Sequence, residues 1–436
     1  MPMPNQTADR QKIAVTVAIP SERRETLLSP FLALDRRIWL IALARMINTM
    51  GFSLVMPFIA MHLVAERGAS GAAYGLIYLL SGLFSAVGQG VAGEASDRVG
   101  RRAVMVSGLA LRAANMIAIG ISVVLAAPIW VIGVLVVLNG FLRAQFEPAA
   151  GAAVTELSPP HLRVAAFGLQ RIGVNLGWAV GPALGGLLST HSYGAMFFVA
   201  APITLVAILA VLPLGRARPE RPEPRPKGRL SLSQIGAALR EHRLFASYLV
   251  LVFWGSILTV QIFATLSVYA STHLGLDRAD IGLVYTVNGM MVVLAQVPAV
   301  GLARRWGMRR SLVFGALLYA LGYVLFARAT GFGDLAVGMA VLTVGEVVFS
   351  PALSDTAATL GDPRRLGRAF GLFGLVQSLG LSLGPLVGGL AFDLLRGRPG
   401  DLWLGLAAGM ILLGIAYSIF GRVTGAFDRM DTRPAH

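Results

Sequence analysis

The sequence predicts an all-α polytopic membrane protein of about twelve transmembrane helices, arranged as two pseudo-symmetric six-helix bundles. Three observations predict it: the composition, the length of the apolar blocks and an internal repeat. Of 436 residues, 56% are hydrophobic and 14% charged, whereas a soluble domain carries about 25% charged residues. The apolar residues fall in blocks of roughly 20, the length a helix needs to cross a bilayer. Segments such as 119–138 are apolar on every face and lack the period-2 alternation of a membrane barrel.

The blocks place helices over 38–63, 73–92, 103–127, 129–157, 164–188 and 194–214, and again over 244–270, 280–301, 311–329, 333–360, 369–391 and 402–421. The domains follow: a tail over 1–37, a bundle over 38–214, a linker over 215–243, a second bundle over 244–421 and a tail over 422–436. The linker is rich in Pro and Arg and cannot bury a core. Residues 232–241 within it read as a short amphipathic surface helix. Residues 1–35 are polar, without a compact apolar stretch ending in small residues, so the first span is expected to serve as an uncleaved insertion signal.

The repeat fixes the bundle count. A shift of 207 residues lays Gly75, Tyr78, Gly82, Gln89, Arg98 and Gly100 on Gly282, Tyr285, Gly289, Gln296, Arg305 and Gly307. A shift of 203 lays LGWAVGPALGGL at 176–187 on LGLSLGPLVGGL at 379–390. Matches at two neighbouring offsets imply two bundles in one orientation, with a substrate site between them.

The formal charge of +15 invites a nucleic-acid reading, but its placement argues against one. Of the 37 Lys and Arg, 28 lie in the tails, the linker and one set of alternating loops, 4 in the other set and 5 inside helices, with Arg328 at a helix end. That is the positive-inside pattern and puts both termini and the linker in the cytoplasm. The absence of cysteine excludes disulfides, thiolate metal sites and a cysteine nucleophile, and the six histidines have no metal-ligand spacing. An intramembrane enzyme would need an acid pair, Ser/His elements or a histidine cluster in the helices; none is present. A passive channel fits two repeated halves with basic hinges less well than rocking bundles do.

The loop after the second span reads Gly93-Glu94-Ala95-Ser96-Asp97-Arg98-Val99-Gly100-Arg101-Arg102. Gly100 eases a sharp turn. Asp97 can cap a helix end or pair with Arg98 or an Arg of a neighbouring helix. The pattern resembles the G-x-x-x-D-R-x-G-R-R signature of the major facilitator superfamily. The resemblance spans both halves and implies a latch that holds one conformation closed on the cytoplasmic side. The plainer reading of Arg98, Arg101 and Arg102 is that they only set topology. The second copy lacks the acid, with Arg304 opposite Asp97.

The fifth span carries Gly173, Gly177, Gly181-Pro182 and Gly185-Gly186. Glycines four apart let another backbone approach closely, and Pro182 permits a kink. The element resembles that of the twelve-helix drug:proton antiporters within the superfamily. Its recurrence at Gly380, Gly384-Pro385 and Gly388-Gly389 leaves simple packing as an equal reading.

An ionisable residue in a spanning helix costs roughly 2.5–3.5 kcal/mol at the bilayer centre on insertion scales, and is by default a functional hypothesis. Arg45, Arg112, Arg143, Glu147, Arg171 and Glu346 are in this position. Asn139, Arg143 and Glu147 recur every four residues and form one polar stripe, and the 203 shift lays Arg143 on Glu346. The resemblance implies that the first, fourth, seventh and tenth spans line a central cavity. Glu346 is the expected proton carrier, with Glu147 as a second site or a partner of Arg143. Coupling needs a carboxylate that burial drives towards protonation and an approaching guanidinium drives back. Against this stand a static Arg143–Glu147 pair and a structural pairing of Glu346 with Arg45, Arg112 or Arg171.

Arg45, Asn48, Asn139, Arg143, Trp254 and Gln261 complete the candidate cavity. Gln261, with Asn175, Asn288 and Gln377, is also read as an interhelical hydrogen-bond former. Phe52, Phe146, Trp178, Trp254 and Phe263 can receive an apolar cation.

The expected function is proton-coupled antiport that exports hydrophobic or cationic small molecules by alternating access. The alternative is a transporter of a polar metabolite, such as a sugar, peptide or organic anion, which the arginines favour if unpaired. The resemblance further implies a monomer in the bacterial inner membrane, powered by the proton gradient and without a cofactor.

Overall fold

The computed structural model describes residues 29–215, 242–361 and 366–424. Twelve helices among these residues are long and apolar enough to cross a membrane. In the first half they are α1 (Arg36–Glu66), α2 (Gly71–Val99), α3 (Arg101–Val124), α4 (Ile129–Leu157), α5 (Arg163–His191) and α6 (Tyr193–Val211). In the second half they are α7 (Arg243–Ala264), α8 (Arg278–Trp306), α9 (Met308–Arg328), α10 (Phe332–Leu360), α11 (Leu366–Leu394) and α12 (Pro399–Thr424). The expected surface helix at 232–241, most of the linker and most of both tails lie outside the described residues.

The expected loop after the second span is almost all helix. α2 runs on through Asp97 to Val99, and Gly100 alone, at φ 96°, turns the chain into α3. Gly307, at φ 80°, does the same between α8 and α9. The sequence reading ended each span where apolar residues stopped, but a helix needs apolar side chains only inside the lipid and extends beyond it on charged ones. Both glycines occupy the left-handed region that a side chain disfavours.

The fourth span was expected to be continuous, and it is not. It consists of Ile129–Arg143 and Phe146–Leu157, with Ala144 and Gln145 as a turn between them. Pro148 explains the break, because it has no N–H to offer the Ala144 carbonyl. α1 breaks likewise after Ser53, four residues before Pro57.

Alternating passage puts the starts of α1 and α7, the ends of α6 and α12, Gly100 and Gly307 on one face, here the linker face. The other is the far face. Each half is a bundle of six helices, and two seams join them, α5 against α8 and α2 against α11. Lipid tails are as apolar as leucine, so these seams rest on close packing of small residues rather than on water exclusion. Near the far face the backbones of Gly71 and Gly389 touch directly, leaving no room for a Cβ on either residue. α2 and α11 remain in contact down to Gly82 and Ser382. Beyond that they part. A Cβ on Gly90, Gly93, Gly371 or Gly374 would meet nothing within 4 Å. The halves thus form a wedge, closed at the far face and open at the linker face.

Candidate transport site

The first-half wall of the wedge is built by α1, α3 and α4. Arg45, on α1, is 8% exposed and donates from Nη2 to Glu147 Oε2 at 2.6 Å. The expected Arg143–Glu147 stripe is therefore corrected. The turn at Ala144–Gln145 takes the two residues off a common helical register, and Glu147 pairs across to α1. Arg143 instead lies 4.4 Å from the centre of the Phe52 ring. Arg112, on α3, approaches the same ring at 5.8 Å. Its Nη1 donates to the Asn48 side-chain oxygen and, at 3.2 Å, to the Asn48 carbonyl. Asn48, expected as a cavity ligand, thus uses its amide oxygen to anchor Arg112. Asn139 is buried one turn before Arg143.

The second-half wall carries Glu346 on α10. Asn288, on α8, donates from Nδ2 to Glu346 Oε2 at 2.8 Å and to Thr343 Oγ1 at 2.9 Å. Among the described residues no guanidinium lies within ion-pairing distance of Glu346. The arginines proposed as its static partners are engaged elsewhere: Arg45 with Glu147, Arg112 with Asn48, and Arg171 with Gln296 Oε1 at 3.4 Å. The sequence had left Asn288 among general hydrogen-bond formers. Only its position opposite Glu346 marks it.

One further expectation is corrected. Gln261 is fully buried, donates to the carbonyls of Ile257 (2.8 Å) and Gly384 (2.9 Å), and accepts from Thr265 Oγ1 (2.8 Å). These bonds staple the break in α7 to α11 and use both of its N–H donors. Trp254 is 54% exposed, and its ring contact is Phe253 at 5.9 Å, away from the Phe52 cluster.

An aromatic chain bridges the halves. Phe52 meets Trp178 edge-on at 6.0 Å, Trp178 meets Phe263 at 4.7 Å, and Phe263 stacks on Tyr285 at 6.1 Å. The glycine element of α5 packs that helix between two neighbours. A Cβ on Gly177 would sit 2.7 Å from the Met46 carbonyl, and Gly181 and Gly185 press on the same stretch of α1. Gly186 turns the other way, where its Cβ would sit 2.7 Å from the Arg278 carbonyl, and the Pro182 carbonyl fills the space beside Gly282.

Asp97 pairs with Arg101, which also reaches Glu156 at 3.0 Å and Ser96 Oγ at 2.7 Å. Arg98 pairs with Glu94 at 2.5 Å, Arg102 lies in the first turn of α3, and Gly93 faces open space. This charge cluster therefore ties α2, α3 and α4 together within the first half.

A second cluster lies on the far face, outside the site that the sequence predicts. Arg278 pairs with Glu66, donates to the Ser189 carbonyl and lies 4.1 Å from the Tyr193 ring. His62 Nδ1 lies 2.9 Å from Glu66. Asp393 accepts from the backbone N–H groups of Gly71 (3.0 Å) and Ala72 (2.9 Å), capping α2 from the opposite half. The available signal was the presence of acids and arginines in loops otherwise poor in charge.

Two matched bundles around a wedge, with charged side chains inside it and clasps across one face, define a membrane transporter rather than an enzyme. The sequence model of the Major Facilitator Superfamily matches residues 41–385 and again 258–429, and the chain belongs to that family. The uncharacterized MFS-type transporter YqjV of Bacillus subtilis (strain 168) is 27% identical over 386 residues, covering 88% of this chain and 92% of YqjV. The multidrug resistance protein MdtH of Klebsiella pneumoniae (strain 342) is 25% identical over 375 residues, covering 83% and 89%. In structure the chain is similar to the nucleoside transporter NupG, with a TM-score of 0.72 at 14% identity, over 88% of this chain and 99% of that one. A bacterial homolog of the human lysosomal transporter Spinster, in an inward-facing and unoccupied conformation, gives a TM-score of 0.68 at 15% identity, over 92% and 98%. At these identities the likeness shows the shared fold.

Proposed function

We propose that the chain is a proton-driven exporter of small, largely hydrophobic molecules that works by alternating access, with Glu346 as the proton carrier. The observation that carries this reading is the setting of Glu346. It is an acid inside a spanning helix whose hydrogen-bond partner is the neutral Asn288 amide, at 2.8 Å. A carboxylate in that position can take up and release a proton as the surrounding walls move, whereas one locked to a guanidinium stays charged. The relatives named as multidrug resistance proteins support an export role.

The basic linker and tails support a cytoplasmic linker face. The wedge then opens inward, where it can collect substrate from the cytoplasm or from the inner leaflet. Protonation of Glu346 from outside and release inside supplies the energy, so no cofactor is needed. Glu147, held by Arg45, serves as a second acid within the cavity wall. The protein acts as a monomer in the bacterial inner membrane, with both termini cytoplasmic.

The test is accumulation driven by a pH gradient in proteoliposomes, with Glu346→Gln beside the wild type. The Gln variant is expected to bind substrate but not to concentrate it. Uphill accumulation at the wild-type level by that variant overturns the proton assignment.

The arginines favour a second reading, in which the cargo carries negative charge. Arg112 and Arg143 both lie against Phe52, and neither forms an ion pair with a carboxylate of the described residues.

A further inference from the structure

The Phe52 cluster combines two features that the proposed export role does not use. Phe52, Trp178, Phe263 and Arg143 are each half-buried, and their ring contacts run from α1 across α5 to α7, between the two halves. Behind them Arg112 is 1% exposed, and its Nε and Nη2 have no hydrogen-bond acceptor among the described residues. An arginine has five donors, and leaving a buried donor unmatched costs about 1–3 kcal/mol. Two guanidiniums against one ring also repel each other. The nearest acid along the helix, Glu147, is held by Arg45 at 2.6 Å. The first-half wall therefore carries three cations, Arg45, Arg112 and Arg143, against one carboxylate.

We propose that this wall and the aromatic chain beside it form a subsite for a planar aromatic carboxylate, with the ring against Phe52, Trp178 and Phe263 and the carboxylate on Arg143. The inference rests on the export reading for its route but concerns binding alone. Arg143 can offer a forked pair of N–H donors, a geometry that fits two carboxylate oxygens. Arg112 is too enclosed to touch a ligand in this conformation. It is a positioning residue, anchored to α1 by Asn48, whose charge raises the positive potential behind Phe52. The aromatic chain gives a flat molecule faces and edges at ring-packing distance. The chain runs from α1 and α5 to α7 and α8 and so joins the two halves. A ligand lodged there contacts both bundles, as a cargo that couples their movement must.

The experiment is equilibrium binding to the full-length protein in lipid nanodiscs, without a gradient. The probes are 2-naphthoate, its neutral amide and 2-naphthylmethylammonium, read by quenching of intrinsic tryptophan fluorescence. In the wild type the carboxylate is expected to bind about tenfold tighter than the amide, the range of one charge-assisted pair. The ammonium is expected to bind weakest. Arg143→Gln should abolish the carboxylate preference, and Phe52→Leu should weaken all three probes alike. The proposal is overturned if the ammonium binds tightest in the wild type, a result independent of how any variant folds. It is also overturned if Arg143→Gln keeps the preference. Glu346→Gln is expected to retain the wild-type ranking, so a failure of proton coupling and a failure of this subsite give different results.

Discussion

Arg143 on α4 and Glu346 on α10 stand 203 residues apart in a repeat that superimposes the two halves, yet their surroundings differ. α4 is broken directly after Arg143, and its following acid, Glu147, is drawn to Arg45 at 2.6 Å. α10 runs unbroken from Phe332 to Leu360, although Pro351 matches Pro148, and it presents Glu346 to a neutral amide. The first half thus spends its acid on a neighbouring arginine and keeps surplus positive charge. The second half keeps an acid that no cation of the described residues contacts, with Arg171 acting on it only at longer range. A duplicated scaffold has become an asymmetric pair of walls, which the proposed function uses by giving one wall the proton and the other the cargo.

Four outcomes break or sharpen this comparison. Glu346→Gln is expected to reduce gradient-driven accumulation roughly 10²-fold, the effect of losing a proton-transfer group, while counterflow exchange survives. Glu147→Gln should cost far less, because its charge is already matched. Equal losses would remove the distinction between the walls.

Gly389→Val places a branched side chain where the Gly71 backbone lies. Overpacking of this kind costs about 1–3 kcal/mol and acts here on the closed far face. The chain has no cysteine, so a pair introduced as Gly93→Cys and Gly371→Cys reports closure of the linker face cleanly. In the Gly389→Val background that pair is expected to cross-link more readily. Unchanged cross-linking would mean that the α2–α11 seam does not govern the equilibrium.

The Arg45–Glu147 pair is half in solvent, with Glu147 46% exposed. A double-mutant cycle with Arg45→Gln and Glu147→Gln, read by thermal unfolding in detergent, should give a coupling of about 1–2 kcal/mol. That lies between the values for exposed and buried pairs. A coupling near zero would return Glu147 to the pool of free cavity acids.

Arg278→Ala has the smallest expected effect. It removes the cation that clasps Glu66 and Ser189 across the far face. A loss of about 1 kcal/mol changes the ratio of the two access states roughly fivefold. Spin-label distances across the far face would widen in that proportion, and no widening would leave the clasp without a conformational role.

Much of the fold was legible because its signals are local or periodic. Apolar blocks gave the spans, and the recurrence of Gly75 at Gly282 and of Gly181-Pro182 at Gly384-Pro385 gave the two bundles. The site was legible in part. Arg45, Arg143, Glu147 and Glu346 announce themselves, since a charge in lipid is costly wherever it sits. Their partners do not. Spacing of four along α4 paired Arg143 with Glu147, and a two-residue turn undid it. Gln261 had the polarity of a ligand and proved to be a staple, because the break in α7 frees carbonyls that need donors. The far-face clasp joins Glu66 to Arg278 and Asp393 to Gly71, residues hundreds of positions apart that carry no common pattern.

The sequence by itself determined that the chain spans a membrane, how many times, in what repeat and with which charges inside, because lipid taxes each residue individually. Only the tertiary structure decided which of those charges neutralise one another, which side of the wedge is shut and which guanidiniums gather around Phe52. Those outcomes depend on distances between helices, and a distance of 3 or 6 Å between side chains is set by how whole bundles pack rather than by any stretch of sequence.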